Sequence, residues 1–90
     1  MMLLGLKCMQ GMDGHDVIQM ECDDIGGADF CAKMIKVKGD PKWTQRMCAI
    51  PAAMAQFKKY GVTGPGCKTA KEDGHEAKIC LCEGDLCNAN

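Results

Sequence analysis

Eight cysteines, at positions 8, 22, 31, 48, 67, 80, 82 and 87, punctuate a chain of 90 residues with gaps of 13, 8, 16, 18, 12, 1 and 4. Thiols in that number support two chemistries: four disulfides, or two four-thiolate zinc sites. Structural zinc sites use paired knuckles with two to four residues between ligands. Only Cys82 and Cys87 have that spacing, and no second knuckle faces them. The cysteines therefore read as disulfides, which places the chain in an oxidising, extracellular compartment. Spacing alone leaves on the order of a hundred connectivities open.

Other reactive groups are sparse. His15 lies between Asp13 and Asp16, and His75 lies near Asp73 and Glu76, but both sit in glycine-flanked polar turns where a solvated imidazole is the ordinary state. The chain has no serine and three threonines, so with its cysteines oxidised it lacks the usual nucleophiles, and no catalytic residue is assigned. The acidic stretch Glu21, Asp23, Asp24 and Asp29 lacks the alternating ligand order of a calcium loop and reads as a solvated, acidic base. No cofactor or metal is expected.

The elements that carry these groups must be held by a small core. One domain of this length buries about two-thirds of its unfolded surface, and Phe30, Trp43, Phe57 and Tyr60 are its only aromatics, so eight methionines fill in as adaptable apolar volume. Leu4 to Gln10 and Val17 to Cys22 predict a hairpin around Gly11-Met12-Asp13-Gly14. Phe30 to Lys38 and Lys42 to Cys48 predict a second, turning at Gly39-Asp40-Pro41. A third excursion leaves Cys67, turns at Glu72-Asp73-Gly74 and returns through Glu76 to Cys82. Its outbound arm, Lys68 to Lys71, is too polar to assign as a strand. Between the second and third excursions, Ala49 to Gly61 is helical chemistry, with Pro51 at the start, alanines inside, Lys58 and Lys59 near the end and Gly61 to close it. Ile50, Met54 and Phe57 share one face, which should dock on the domain. Met1 to Leu6 is too short and insufficiently basic for a complete secretory signal. Residues 1–5 read as a leader remnant or added residues, residues 6–90 as one domain, and no apolar run is long enough to span a membrane.

The matching residues are Leu6-Lys7-Cys8, Glu21-Cys22, Phe30-Cys31-Ala32-Lys33, Arg46-Met47-Cys48, Gly66-Cys67 and the terminal Asp85-Leu86-Cys87-Asn88. On them, over residues 6–88, the chain resembles the three-finger superfamily of lymphocyte antigens (Ly-6), the urokinase receptor (uPAR) and snake toxins. One residue between Cys80 and Cys82, where toxins have adjacent cysteines, is similar to the nematode ET modules. The resemblance implies a small, disulfide-rich, mainly β three-finger fold, here with a short helix inserted between fingers two and three. It implies the pairs Cys8 with Cys31, Cys22 with Cys48, Cys67 with Cys80 and Cys82 with Cys87. It also implies structural roles in the terminal run for Asp85 and Asn88, the Asn88 amide tying the C-terminal end to the first strand. Three features depart from the family: Met9 and Ala32 where an aromatic is common, the 18 residues between Cys48 and Cys67, and a finger-two tip matching no toxin pharmacophore.

Charge is segregated. Residues 1–30 hold one lysine and six acids, residues 31–60 seven basic groups and one acid, and residues 61–90 three lysines and five acids. Lys33, Lys36, Lys38, Lys42 and Arg46 therefore gather on finger two beside Trp43. Lys36, Lys38, Lys42, Trp43 and Arg46 form the candidate partner-binding set, because tryptophan beside arginine is frequent in binding hot spots. Lysines that keep a small sheet's edges soluble are the plainer reading. Nucleic acid is disfavoured by the flanking acids. The expected function is a secreted, non-enzymatic protein that binds and modulates an extracellular protein or receptor through its loops. Superfamily partners include ion-channel receptors, proteases and immune receptors, and the ET-like feature adds a host or neuronal receptor. The alternative is a structural module that self-associates, as a homodimer, through the helix of residues 50–60; a small extracellular enzyme or metal protein is the third.

Overall fold

The computed structural model describes residues 5–39 and 41–89. Most of the predicted leader segment, the finger-two tip residue Asp40, and Asn90 lie outside the described residues. Three hairpins make the fold: β1 (Lys7–Met12) with β2 (Ile18–Glu21), β3 (Cys31–Lys38) with β4 (Thr44–Cys48), and β5 (Gly66–Glu72) with β6 (His75–Cys82). All neighbours are antiparallel, in the order β2-β1-β4-β3-β6-β5. The domain measures 49 × 28 × 19 Å, too thin for a central core, so each face of the sheet must be covered separately.

Strand periodicity assigns the two faces. Successive residues point to opposite sides, so Ala32 and Leu81 look one way while Cys31 and Cys82 look the other. On the first side Ala32, Ala49, Phe57, Val62, Ile79 and Leu81 form a buried apolar cluster, joined by Phe30, Met34, Met47 and Met54. On the other, Cys8, Cys22, Cys31 and Cys48 form a buried sulfur cluster, with Leu6, Met20 and Ile50 packed on it. The bridges join Cys8 to Cys31, Cys22 to Cys48, Cys67 to Cys80 and Cys82 to Cys87, the pairs implied by the family resemblance, and no described cysteine is free.

The helix forms as α1 (Pro51–Phe57) and tightens into a 3-10 turn at Lys58–Tyr60. Pro51 takes its first turn and Gly61 closes it at φ 78°, a left-handed conformation suited to glycine. Its apolar stripe faces inward: Phe57 is 4% exposed, Met54 packs beside it and Ile50 on the sulfur cluster. The stripe thus docks on the domain's own sheet, as its spacing predicts.

Two elements differ from the sequence expectation. The first strand runs to Met12, so Gly11 belongs to the ladder. A Cβ there would lie 2.3 Å from the Asp16 backbone oxygen, a close approach only glycine permits. The polar arm Lys68 to Lys71 is a strand after all. It is an edge strand, paired with β6 from Gly66–Leu81 to Glu72–His75 and exposed at nearly every residue, so it carries no apolar alternation to read, and its lysines protect an open edge. Asp73 at φ 49° and Gly74 at φ 80° close this hairpin with the paired left-handed residues that a tight two-residue loop requires.

Candidate protein-binding face of fingers two and three

Sheet register decides which of the sequence-nominated residues can act together. The Lys36 N–H donates to the Trp43 carbonyl at 2.8 Å, so these two face each other across finger two. Lys36 is also paired with Ala77, and Ala77 with Ala70. One row of the helix-bearing face therefore reads Trp43, just before β4, then Lys36, Ala77 and Ala70 on β3, β6 and β5. Two alanines between large side chains leave a depression of about 240 Å³, floored by Met34 and Ile79 and walled by Trp43 and Lys36 on one side and Tyr60 and Glu72 on the other.

The remaining nominees go elsewhere. Lys42 is exposed next to Trp43 in the chain. Lys38 lines a separate cleft at the tips with Glu72, Asp73 and Glu76. There Gly39 lies against His75 so closely that a Cβ would meet its Nδ1 at 2.5 Å. Arg46 is paired with Lys33 on the opposite face, and its side chain is 11% exposed. Its Nε–H donates to the Asn88 carbonyl at 2.8 Å, while its guanidinium pairs with Asp13. Arg46 therefore fastens finger one and the C-terminal loop to finger two. Among the described residues neither Lys36 nor Lys42 has a carboxylate partner.

Asn88, 2% exposed, accepts from the Met9 N–H at 2.9 Å and donates to the carbonyls of Met9 at 3.0 Å and Ala32 at 2.9 Å. Asp85 accepts from the Lys7 N–H at 3.0 Å. Both clamp the last loop across the first strand.

Tyr60, Met34, Ala70, Glu72 and Ala77 also belong to the depression and were not nominated from the sequence, because finger three and the helical segment reach finger two only through the tertiary fold. The Tyr60 hydroxyl donates to Glu72 Oε2 at 2.9 Å. That hydrogen bond first, then the carboxylate's charge and a little desolvation, raises the Tyr60 pKa above 10.0. A raised value means that the folded chain holds this proton more tightly than the unfolded one. Any stability from it is complete below the usual pKa and is lost as pH rises through the raised value. Glu72→Gln should move the phenolate absorbance titration of Tyr60 downward; an unchanged midpoint would mean that the pair does not form.

Hydrolytic or metal chemistry finds no assembled set among the described residues. His15 is exposed in a bend, His75 is exposed at the first position of β6 rather than in the turn, and the one convergent group of ligand-type residues among those described, Cys8, Cys22 and Cys48, consists of disulfide sulfurs. Asp23 and Asp29 line a second depression with Gly26 and Gly27, but belong to no convergent group of three or more ligand-type residues among those described. No described helix is long and apolar enough to cross a membrane.

Three disulfide-bearing hairpins fanned from a sulfur cluster, with a clamped C-terminal loop, define a small three-finger domain of the Ly-6/uPAR kind. Residues 4–88 match the Quiver family u-PAR/Ly-6-like domain, and the chain belongs to that family. Neither the curated proteins nor the solved structures return a match. Domains of this kind are generally non-enzymatic, and their bridges suit an extracellular setting.

Proposed function

We propose that this chain is a secreted, non-enzymatic domain that binds an extracellular protein or cell-surface receptor through the helix-bearing face of fingers two and three and modulates it. The observation that supports this most is Trp43, an amphipathic aromatic at the lip of an apolar-floored depression, with Lys36 on its wall and Lys42 next in the chain, neither in an ion pair among the described residues. Aromatic residues at the edge of a pocket are where binding energy concentrates. A volume of about 240 Å³ is below the range of small-molecule sites, roughly 300 Å³ and above, and suits one side chain offered by a partner surface. Fixed carboxylates at Glu72, Asp73 and Glu76 on the adjoining tip disfavour a uniform polyanion.

Fluorescently labelled chain titrated onto intact cells bearing the partner tests the proposal, with crosslinking to identify what it touches. Trp43→Ala combined with Lys42→Ala should weaken binding by at least about tenfold, the scale of a hot-spot loss, with circular dichroism unchanged. Undiminished binding would move the contact to another surface, the exposed side of α1 being the next to test.

A further inference from the structure

We infer that Cys67–Cys80 is a thiol–disulfide exchange site, opened by an extracellular dithiol reductant while the rest of the domain stays folded. The four bridges occupy unequal environments. Cys8, Cys31, Cys22 and Cys48 are at most 2% exposed, and Cys82 and Cys87 pack against them. Cys67 is exposed, and it lies on an edge strand directly opposite the half-buried Cys80 in the β5–β6 register, the two Cα atoms 4.0 Å apart. Thiol exchange needs access to a sulfur, and this is the one bridge that contains an exposed cysteine.

The fold around it does not depend on that bond for its shape. The same two strands are joined by a ladder running from Gly66–Leu81 to Glu72–His75, closed by the Asp73-Gly74 turn, and β6 is pinned on its other side by β3. Neighbouring charge favours cleavage at this position. Lys33 stands opposite Cys80 on β3, and Lys78, exposed, lies two residues earlier on the same face of β6. Nearby cations draw in an attacking thiolate and stabilise the one that leaves. By contrast, Cys82–Cys87 has Glu83 and Asp85 as chain neighbours, which repel an incoming thiolate.

The reaction balances as a two-electron exchange. A thiolate of the dithiol attacks Cys67 Sγ, forming a mixed disulfide as the Cys67–Cys80 bond breaks and its electron pair leaves on Cys80 Sγ, which takes a proton. The reductant's second sulfur, deprotonated, then displaces Cys67, which is protonated in turn. The reductant leaves as its own disulfide, and Cys67 and Cys80 remain as thiols.

Folded chain treated with dithiothreitol under native conditions, quenched over time with N-ethylmaleimide and mapped by peptide mass, tests this directly. Cys67 and Cys80 should be labelled together at least about tenfold faster than any other pair, with the dichroism spectrum retained. Earlier labelling of another pair, or labelling of all eight together with loss of the spectrum, would overturn the inference. Lys78→Glu should slow reduction by glutathione severalfold more than it slows reduction by the neutral tris(hydroxypropyl)phosphine, because only the thiolate loses attraction on approach as well as stabilisation on leaving. Equal rates with glutathione would remove the electrostatic part. The Cys67→Ala, Cys80→Ala double variant should retain the native spectrum, and failure to fold would show that the bridge is indispensable.

Discussion

Replacing Cys22 and Cys48 together by alanine should cost about 3–4 kcal/mol from the lost cross-link alone, because the bridge closes a separation of 26 residues. The cost should exceed that figure, since both sulfurs are buried, at 0% and 2% exposure, and removing them opens a cavity inside the cluster that covers one face of the sheet. A domain of this size has on the order of 5–15 kcal/mol in total. The double variant should therefore unfold at markedly lower denaturant and temperature than the parent, as followed by circular dichroism. A loss below about 1 kcal/mol would mean that the sulfur cluster is not a core.

Asn88→Ala should destabilise the chain by about 3 kcal/mol, since it leaves the Met9 N–H and the Met9 and Ala32 carbonyls without their partner in a site that is 2% exposed. No single-strand contact explains so large an effect. The amide reaches β1 and β3 at once, so its removal loosens the junction of fingers one and two. Asn88→Asp makes the sharper test. It keeps an acceptor for Met9 N–H but presents a carboxylate to two carbonyls, so it should be at least as damaging as alanine at neutral pH and should improve in acid, where the added carboxyl is protonated. An aspartate variant as stable as the parent would show that the donor half of the clamp is idle.

With these two sites carrying the fold, the proposed binding face should be open to substitution without loss of the fold. Sulfur cluster and clamp lie at the base of the fingers, whereas Trp43, Lys36 and Lys42 lie toward the tip of finger two and take part in neither. Substitution at the face should therefore alter recognition and leave stability nearly unchanged, the separation on which the Trp43 and Lys42 experiment relies. Arg46 is the exception among the nominated residues. Its guanidinium belongs to the base, so its loss would affect both.

Much of this was set by the sequence alone. Cysteine number and spacing placed the covalent scaffold, and the matching residues around them carried its connectivity. Pro51 and Gly61 bounded the helix, and Asp73-Gly74 marked the third turn, because each of these signals acts through local backbone geometry. Tertiary structure decided the rest. Lys68 to Lys71 became a strand only because β6 offered it a ladder, and the polar arm has no pattern of its own from which this could be read. Five residues nominated as one surface were divided by the pleat and, between Lys36 and Lys38, by a shift in the β3–β6 register. Lys36 and Trp43 share a row with two alanines from finger three, Lys38 turns to a tip cleft, and Arg46 is held on the far side. A strand's side chains alternate along its own length, but which of its faces is covered, and by what, depends on neighbours far away in the chain. That is why the scaffold was legible residue by residue and the face it presents was not.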